Sequence, residues 1–249
     1  MDNQNALTST AMLAAIWEHE KKDNLELILP FVTYSIGKVI SVGNRVDITS
    51  IAMYLSTNLG FYDIPHSVLQ KAFKRLSKRK ILERKNQEIF LKIDLSENCK
   101  TIDLQLQQAQ KDTDEVIKVM TEYLNQRKER LFKKDFSAKE IRNHFIKFLE
   151  TKGYFVYEKI EKLQEISACE NTIYYHIAQF IIAEYHKKSV VFSYIENIVK
   201  GLLLSRVIYG YIDVKYDEKF KDVCVYVDTT LLLCIFAFKS DEQNTAASQ

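Results

Sequence analysis

Only two prolines and six glycines punctuate this chain of 249 residues. With Lys, Glu, Gln, Ile and Leu abundant, so few chain breakers favour long helices joined by short connections. Four cysteines, Cys99, Cys169, Cys224 and Cys234, are widely spaced and form no Cys-x-x-Cys pair. Neither a disulfide framework nor a zinc site is expected from them. The five histidines, at 19, 66, 144, 176 and 186, give no His-Glu-x-x-His pattern, which disfavours a histidine-based zinc enzyme. Gly-x-Gly-x-x-Gly, a Walker-type lysine loop and Gly-x-Ser-x-Gly are all missing, so nucleotide cradling and a serine nucleophile lack support. A net charge of only +2 excludes a global electrostatic field, and any nucleic-acid binding has to rest on a local basic face. The longest apolar stretches are broken by Asp228 or by Glu196, Lys200 and Arg206, so no membrane span is expected. Met1 to Thr10 is polar and lacks the basic and apolar regions of a secretory signal. A cytoplasmic protein is the expectation.

What is present is apolar periodicity at helical spacing. Residues 11 to 22, with Met12, Leu13, Ile16 and Trp17 along one side, read as a short amphipathic helix able to pack on this chain or on a partner. Leu25 to Val42 reads as a second helix, with Pro30 in its first turn or bending it, and Gly43 suits its stop. A long charged helix is expected over 103 to 132, with Leu104, Val116, Ile117, Met120, Tyr123 and Leu124 on its apolar stripe. Ser137 to Glu140 is a capping box flanked by Phe136 and Ile141, and Gly153 is the expected end of the helix it opens. Ser167 to Glu170 repeats the capping pattern ahead of a helix to about Lys187, and Ser189 starts another through Tyr209. Tyr174, Tyr175, His176, Tyr185 and His186 follow the helical stripe, which favours core packing over base stacking.

Residues 47 to 94 carry a more specific order. Asp47 caps a helix through Asn58, Gly60 ends it, and Asp63 and Pro65 open a second helix with Val68, Leu69, Ala72, Phe73 and Leu76 on one face. The other face carries His66, Gln70, Lys71, Lys74, Arg75 and Lys78; Ile81 and Leu82, a charged tip at Glu83 to Glu88 and an alternating run from Ile89 to Ile93 follow. This order resembles a winged helix-turn-helix domain. The resemblance implies that His66, Ser67, Gln70, Lys71 and Lys74 read a groove, that Lys78, Arg79 and Lys80 position phosphates, and that Arg84, Lys85 and Asn86 meet phosphate or the minor groove. Arg75 belongs to the same basic set. Neutralising roughly five phosphates corresponds to a log-log salt slope near −4 to −5. Such domains also serve as protein adaptors, and a lysine-rich face is also what a solvated helix presents.

The last segment runs Val223-Cys-Val-Tyr-Val227, Asp228-Thr229-Thr230, then Leu231 to Ala237. A buried strand ending in a carboxylate and turning into a helix places Asp228 where open α/β sheets put their chemistry. An acid in so apolar a run requires a metal ion, a hydrogen bond or water. The segment resembles the opening of a PIN-type nuclease domain, which implies Asp228 as a ligand for Mg²⁺ or Mn²⁺ with Thr229 and Thr230 as supporting polar groups. Thr230 departs from the commoner Asn or Ser, and the later acids of that family are not in this sequence. Asp228 as a helix N-cap remains an equal reading. A haloacid-dehalogenase-type Asp-x-Asp is excluded, because position 230 is Thr.

The expectation is therefore a mainly α protein: an N-terminal helix or arm (1–24), a winged-helix module (25–100), a helical region (101–215) and the start of a PIN-like α/β domain (216–249). Such a chain would be the nucleic-acid-binding and assembly portion of a larger metal-dependent nuclease, acting on DNA or RNA, able to form a homo-oligomer and inactive by itself. The toxin or defence roles of PIN-like proteins are implied by resemblance. A non-enzymatic DNA-binding regulator and a protein-interaction scaffold are the alternatives.

Overall fold

A computed structural model describes residues 3–20, 24–62, 64–86, 88–126, 135–166 and 172–209. Contacts divide the chain into Met1–Ile212 and Asp213–Gln249, and all described residues belong to the first unit. That unit is mainly helical. Its elements are α1 (Asn3–Glu20), α2 (Asn24–Val39), α3 (Ile48–Leu59), α4 (His66–Lys78), the strands β1 (Leu82–Lys85) and β2 (Glu88–Leu91), α5 (Ser96–Asn125), α6 (Ala138–Glu158), a 3-10 helix (Ile160–Glu165), α7 (Thr172–His186) and α8 (Val190–Tyr209).

The first helix begins well before residue 11, and it packs inside this chain, chiefly against α8 and α5. Leu7, Ser9, Met12, Leu13 and Ala14 are all buried, so α1 covers apolar neighbours on more than one side. Gly201 is what lets α8 approach: a Cβ there would fall on the Thr10 carbonyl. The two backbones therefore meet with no side chain between them.

Local chemistry sets the helix ends. Asp47 accepts a hydrogen bond from the Ser50 amide at 2.9 Å and opens α3. Gly60, at φ 71°, closes it, its amide donating to the Ser56 carbonyl while the Phe61 amide donates to that of Leu55. Phe61 is thereby delivered edge-on to Phe31 of α2, with ring centroids 4.7 Å apart. At α6 the capping box forms in full between Ser137 and Glu140, and Phe136 and Ile141 on either side of it are buried. The Asn125 side chain accepts from the Phe136 amide at 2.9 Å and donates to its carbonyl at 3.1 Å, joining the end of α5 to the start of α6. The capping run at 167–170 lies outside the described residues.

Three expectations need correction. The long helix covers 96–125 rather than 103–132, because Asp94 accepts from the Ser96 amide at 3.0 Å and starts it early. Leu104, expected on its apolar stripe, is exposed. Of the two places left open for Pro30, it does not take the first turn of α2, and its missing N–H leaves the Glu26 carbonyl without its usual helix partner. Gly153 does not end α6, which continues to Glu158. A Cβ at Gly153 would sit 3.8–4.0 Å from Leu149, Leu202 and Val199, in ordinary contact. Gly153→Ala should therefore raise stability by about 0.5–1 kcal/mol, read as an upward shift in the urea midpoint.

The helices α2 and α5 are locked by Asp103, which accepts from the Tyr34 hydroxyl at 2.6 Å and from the Lys38 ammonium at 2.8 Å. Burial, then the bond to Asp103, pushes the Tyr34 phenol far above its ordinary value. The same carboxylate raises Lys38. Groups raised on folding contribute stability that is complete below their unfolded pKa and lost above it. The thermal midpoint should thus fall once pH passes about 10, where free Tyr and Lys begin to titrate. In Tyr34→Phe that fall should be shallower.

Candidate nucleic-acid interface

The buried side of α4, made by Val68, Leu69, Ala72, Phe73 and Leu76, fixes which residues face outward. His66, Gln70, Lys74 and Lys78 are exposed and recur every fourth position, so they form one row roughly 18 Å long. Ser67, Lys71 and Arg75 are half-buried beside it. Neither α3 nor α4 carries an Asp or Glu within its helical span. The chain leaves α4 through Lys80 in the left-handed region, φ 60°, and enters the ribbon.

The ribbon is antiparallel, with Leu82 opposite Leu91 and Lys85 opposite Glu88. Its turn passes through Asn86 at φ 46°, a conformation Asn tolerates better than most residues. A short third segment adds to β2 from the other side: Arg45 bridges Phe90, and the Val46 amide donates to the Ile89 carbonyl at 2.7 Å. Leu82 and Leu91 are buried while Arg84, Lys85 and Asn86 are exposed, so the inner end of the ribbon anchors in the core and its tip is solvated.

The anticipated basic residues divide into two groups. Among the described residues, Lys74, Lys78, Lys80 and Arg84 have no carboxylate partner. Arg75 and Arg79 are paired with Glu26 of α2, at 2.9 and 2.6 Å, and the Glu26 side chain is only 13% exposed. Lys85 pairs with Glu83 at 3.0 Å, and Arg45 with Glu88 at 2.8 Å, in exposed pairs that solvent weakens. Sequence reading missed Glu26, whose partners lie far along the chain. The usable signal was that Arg75 and Arg79, one helical turn apart, share a face.

A cleft of about 490 Å³ lies between α1, α5 and α8. Its walls include Met12, Ile16, Gln105, Gln108 and Tyr194, and among the described residues Asp112 is the one charged group lining it. The described lining lacks the convergent titratable groups of a catalytic centre. Among the described residues no three His, Cys, Asp or Glu gather as a metal site, and no helix is long and apolar enough to cross a membrane. Asp228, Thr229 and Thr230 lie outside the described residues, as do Cys169, Cys224 and Cys234. Cys99 is a free, buried thiol. His176 is buried and Tyr174 packs edge-on against Phe148 at 5.7 Å, a core role, whereas Tyr185 and His186, expected to pack likewise, are exposed at the end of α7. No family model, curated protein or solved structure matches this chain.

Proposed function

We propose that the segment from α2 through the ribbon is a winged-helix-type module that binds duplex DNA. The observation that carries the reading is the exposed row His66, Gln70, Lys74 and Lys78, continued by Lys80 and Arg84, on a helix pair free of acidic residues. A protruding helix fits the roughly 12 Å major groove of B-form DNA, whereas the deep, narrow groove of duplex RNA does not admit one. The exposed side of α4 has no Phe, Tyr or Trp, which argues against single-strand recognition by stacking.

In the fuller proposal this module, with the helical region, is the recognition and assembly portion of a larger PIN-like nuclease. Asp228 then serves as one carboxylate ligand of Mg²⁺ or Mn²⁺, with Thr229 and Thr230 beside it. Such an ion supplies an activated water and neutralises developing phosphate charge. One carboxylate cannot hold it, so the nuclease reading requires companion acids elsewhere in a longer protein.

Fluorescence anisotropy with a mixed-sequence duplex DNA tests the binding reading. Binding is expected with a log-log salt slope near −4 to −5, and weaker binding to duplex RNA of the same sequence. A flat salt response would overturn it in favour of a protein-adaptor surface, and equal affinity for both duplexes would overturn the preference for DNA.

A further inference from the structure

Glu26 sits in the first turn of α2, where the positive end of the helix dipole favours a carboxylate. From there it meets the last turn of α4. One Arg79 nitrogen, Nη2, donates to both Glu26 oxygens at 2.7 and 2.6 Å, and Arg75 Nη1 donates to Oε1 at 2.9 Å. One mostly buried carboxylate thus engages two guanidinium groups of the basic helix, and the pairing spans elements 49 and 53 residues apart.

Two roles compete for these arginines. A guanidinium is well suited to grip phosphate in a two-pronged manner, and Arg75 and Arg79 adjoin the row that meets the DNA in the reading above. Yet a charge-assisted bond to a partly desolvated carboxylate is stronger than one made in open solvent. Leaving Glu26 for a phosphate would strand a carboxylate only 13% exposed without a partner, a costly exchange. The carboxylate also places a negative charge beside the row.

Resting on the duplex-DNA reading, we infer that Glu26 is a built-in charge restraint: it holds Arg75 and Arg79 off the phosphates and so limits sequence-independent affinity. Phosphate contacts supply most non-specific binding, and what matters on a genome is the ratio of specific to non-specific affinity. A module that withholds two arginines raises that ratio with no added base contact. Glu26 is a positioning residue that acts through the arginines, not a DNA contact.

The test measures salt slopes on mixed-sequence duplex DNA for wild type, Glu26→Gln and the triple variant E26Q/R75Q/R79Q. Released arginines should tighten binding at low salt in Glu26→Gln and steepen the slope by about 0.9 for each new phosphate contact, up to about 1.8. The triple variant should return to the wild-type slope. A purely structural Glu26 would change melting temperature and leave the slope where it was, and that result overturns the inference, as does a triple variant shallower than wild type by about two. Should Glu26→Gln fail to fold, Glu26→Asp, which keeps the charge but is one methylene too short to hold both guanidinium groups, takes its place: a steeper slope than wild type supports the restraint and an unmoved slope overturns it. Failure of the wild type to bind duplex DNA sinks the module reading itself, whereas normal wild-type binding with an unmoved Glu26→Gln slope sinks only the restraint.

Discussion

Gly201→Ala should destabilise the protein by about 3 kcal/mol, enough to remove a large part of a typical folding free energy of about 5–15 kcal/mol. An added Cβ would land on the Thr10 carbonyl, and backbone has no rotamer with which to yield. α1 and α8 would have to separate along a buried crossing. Separation uncovers Leu13, Ile195, Ile198 and Val199, all at most 1% exposed. Alanine's better helix propensity offsets only about 1 kcal/mol. For a chain of this size the thermal midpoint should drop by roughly 6–12 °C. Gly153→Ala is the internal comparison: the same added methyl, on a helix that packs on α8, with the opposite sign. Equal melting temperatures for wild type and Gly201→Ala would mean that the helices do not cross as described.

The second large effect is on binding. Lys74 and Lys78 are exposed, one turn apart and unpaired among the described residues. If the module binds duplex DNA as proposed, changing both to Glu removes two phosphate contacts and adds repulsion, so affinity should fall about 100-fold at low salt, or about 2.7 kcal/mol. The slope should become shallower by about two. Both side chains are solvated, so melting should move by no more than about 0.5 kcal/mol of stability. Lost binding without lost stability separates a binding face from a packing face. An unchanged affinity would show that this row is only the solvated side of a helix.

Much of the helical architecture was legible because its signals are local. Asp47 and Gly60 bound α3 as their chemistry dictates, the Ser137 box forms in full, and Val68, Leu69, Ala72, Phe73 and Leu76 go inward as their spacing requires. Errors arose where distant partners decide. Gly153 resembles a helix stop, but neighbours on α8 carry the helix past it to Glu158. Residues 11 to 22 left open whether their helix packs on this chain or on a partner, and only the fold shows α1 set against α8 and α5. At the candidate interface the sequence supplied the basic residues and not their occupancy. Nothing local to Arg75 or Arg79 announces Glu26, and the short Arg45 segment that extends the ribbon falls below any strand pattern. Asp228 remains an argument from residues alone.

The place of α1 bears on how the protein is made. Glu18 meets Lys200 across 182 residues of sequence, so the helix that carries it is synthesised long before its partner. Its apolar sides must wait for α8, nearly the whole unit, before they are covered, and waiting hydrophobic surface is what invites aggregation. Closure of this pair is a late, topologically remote event. Ribosome-bound fragments ending ahead of residue 190 should therefore engage holding chaperones, and release should coincide with appearance of α8.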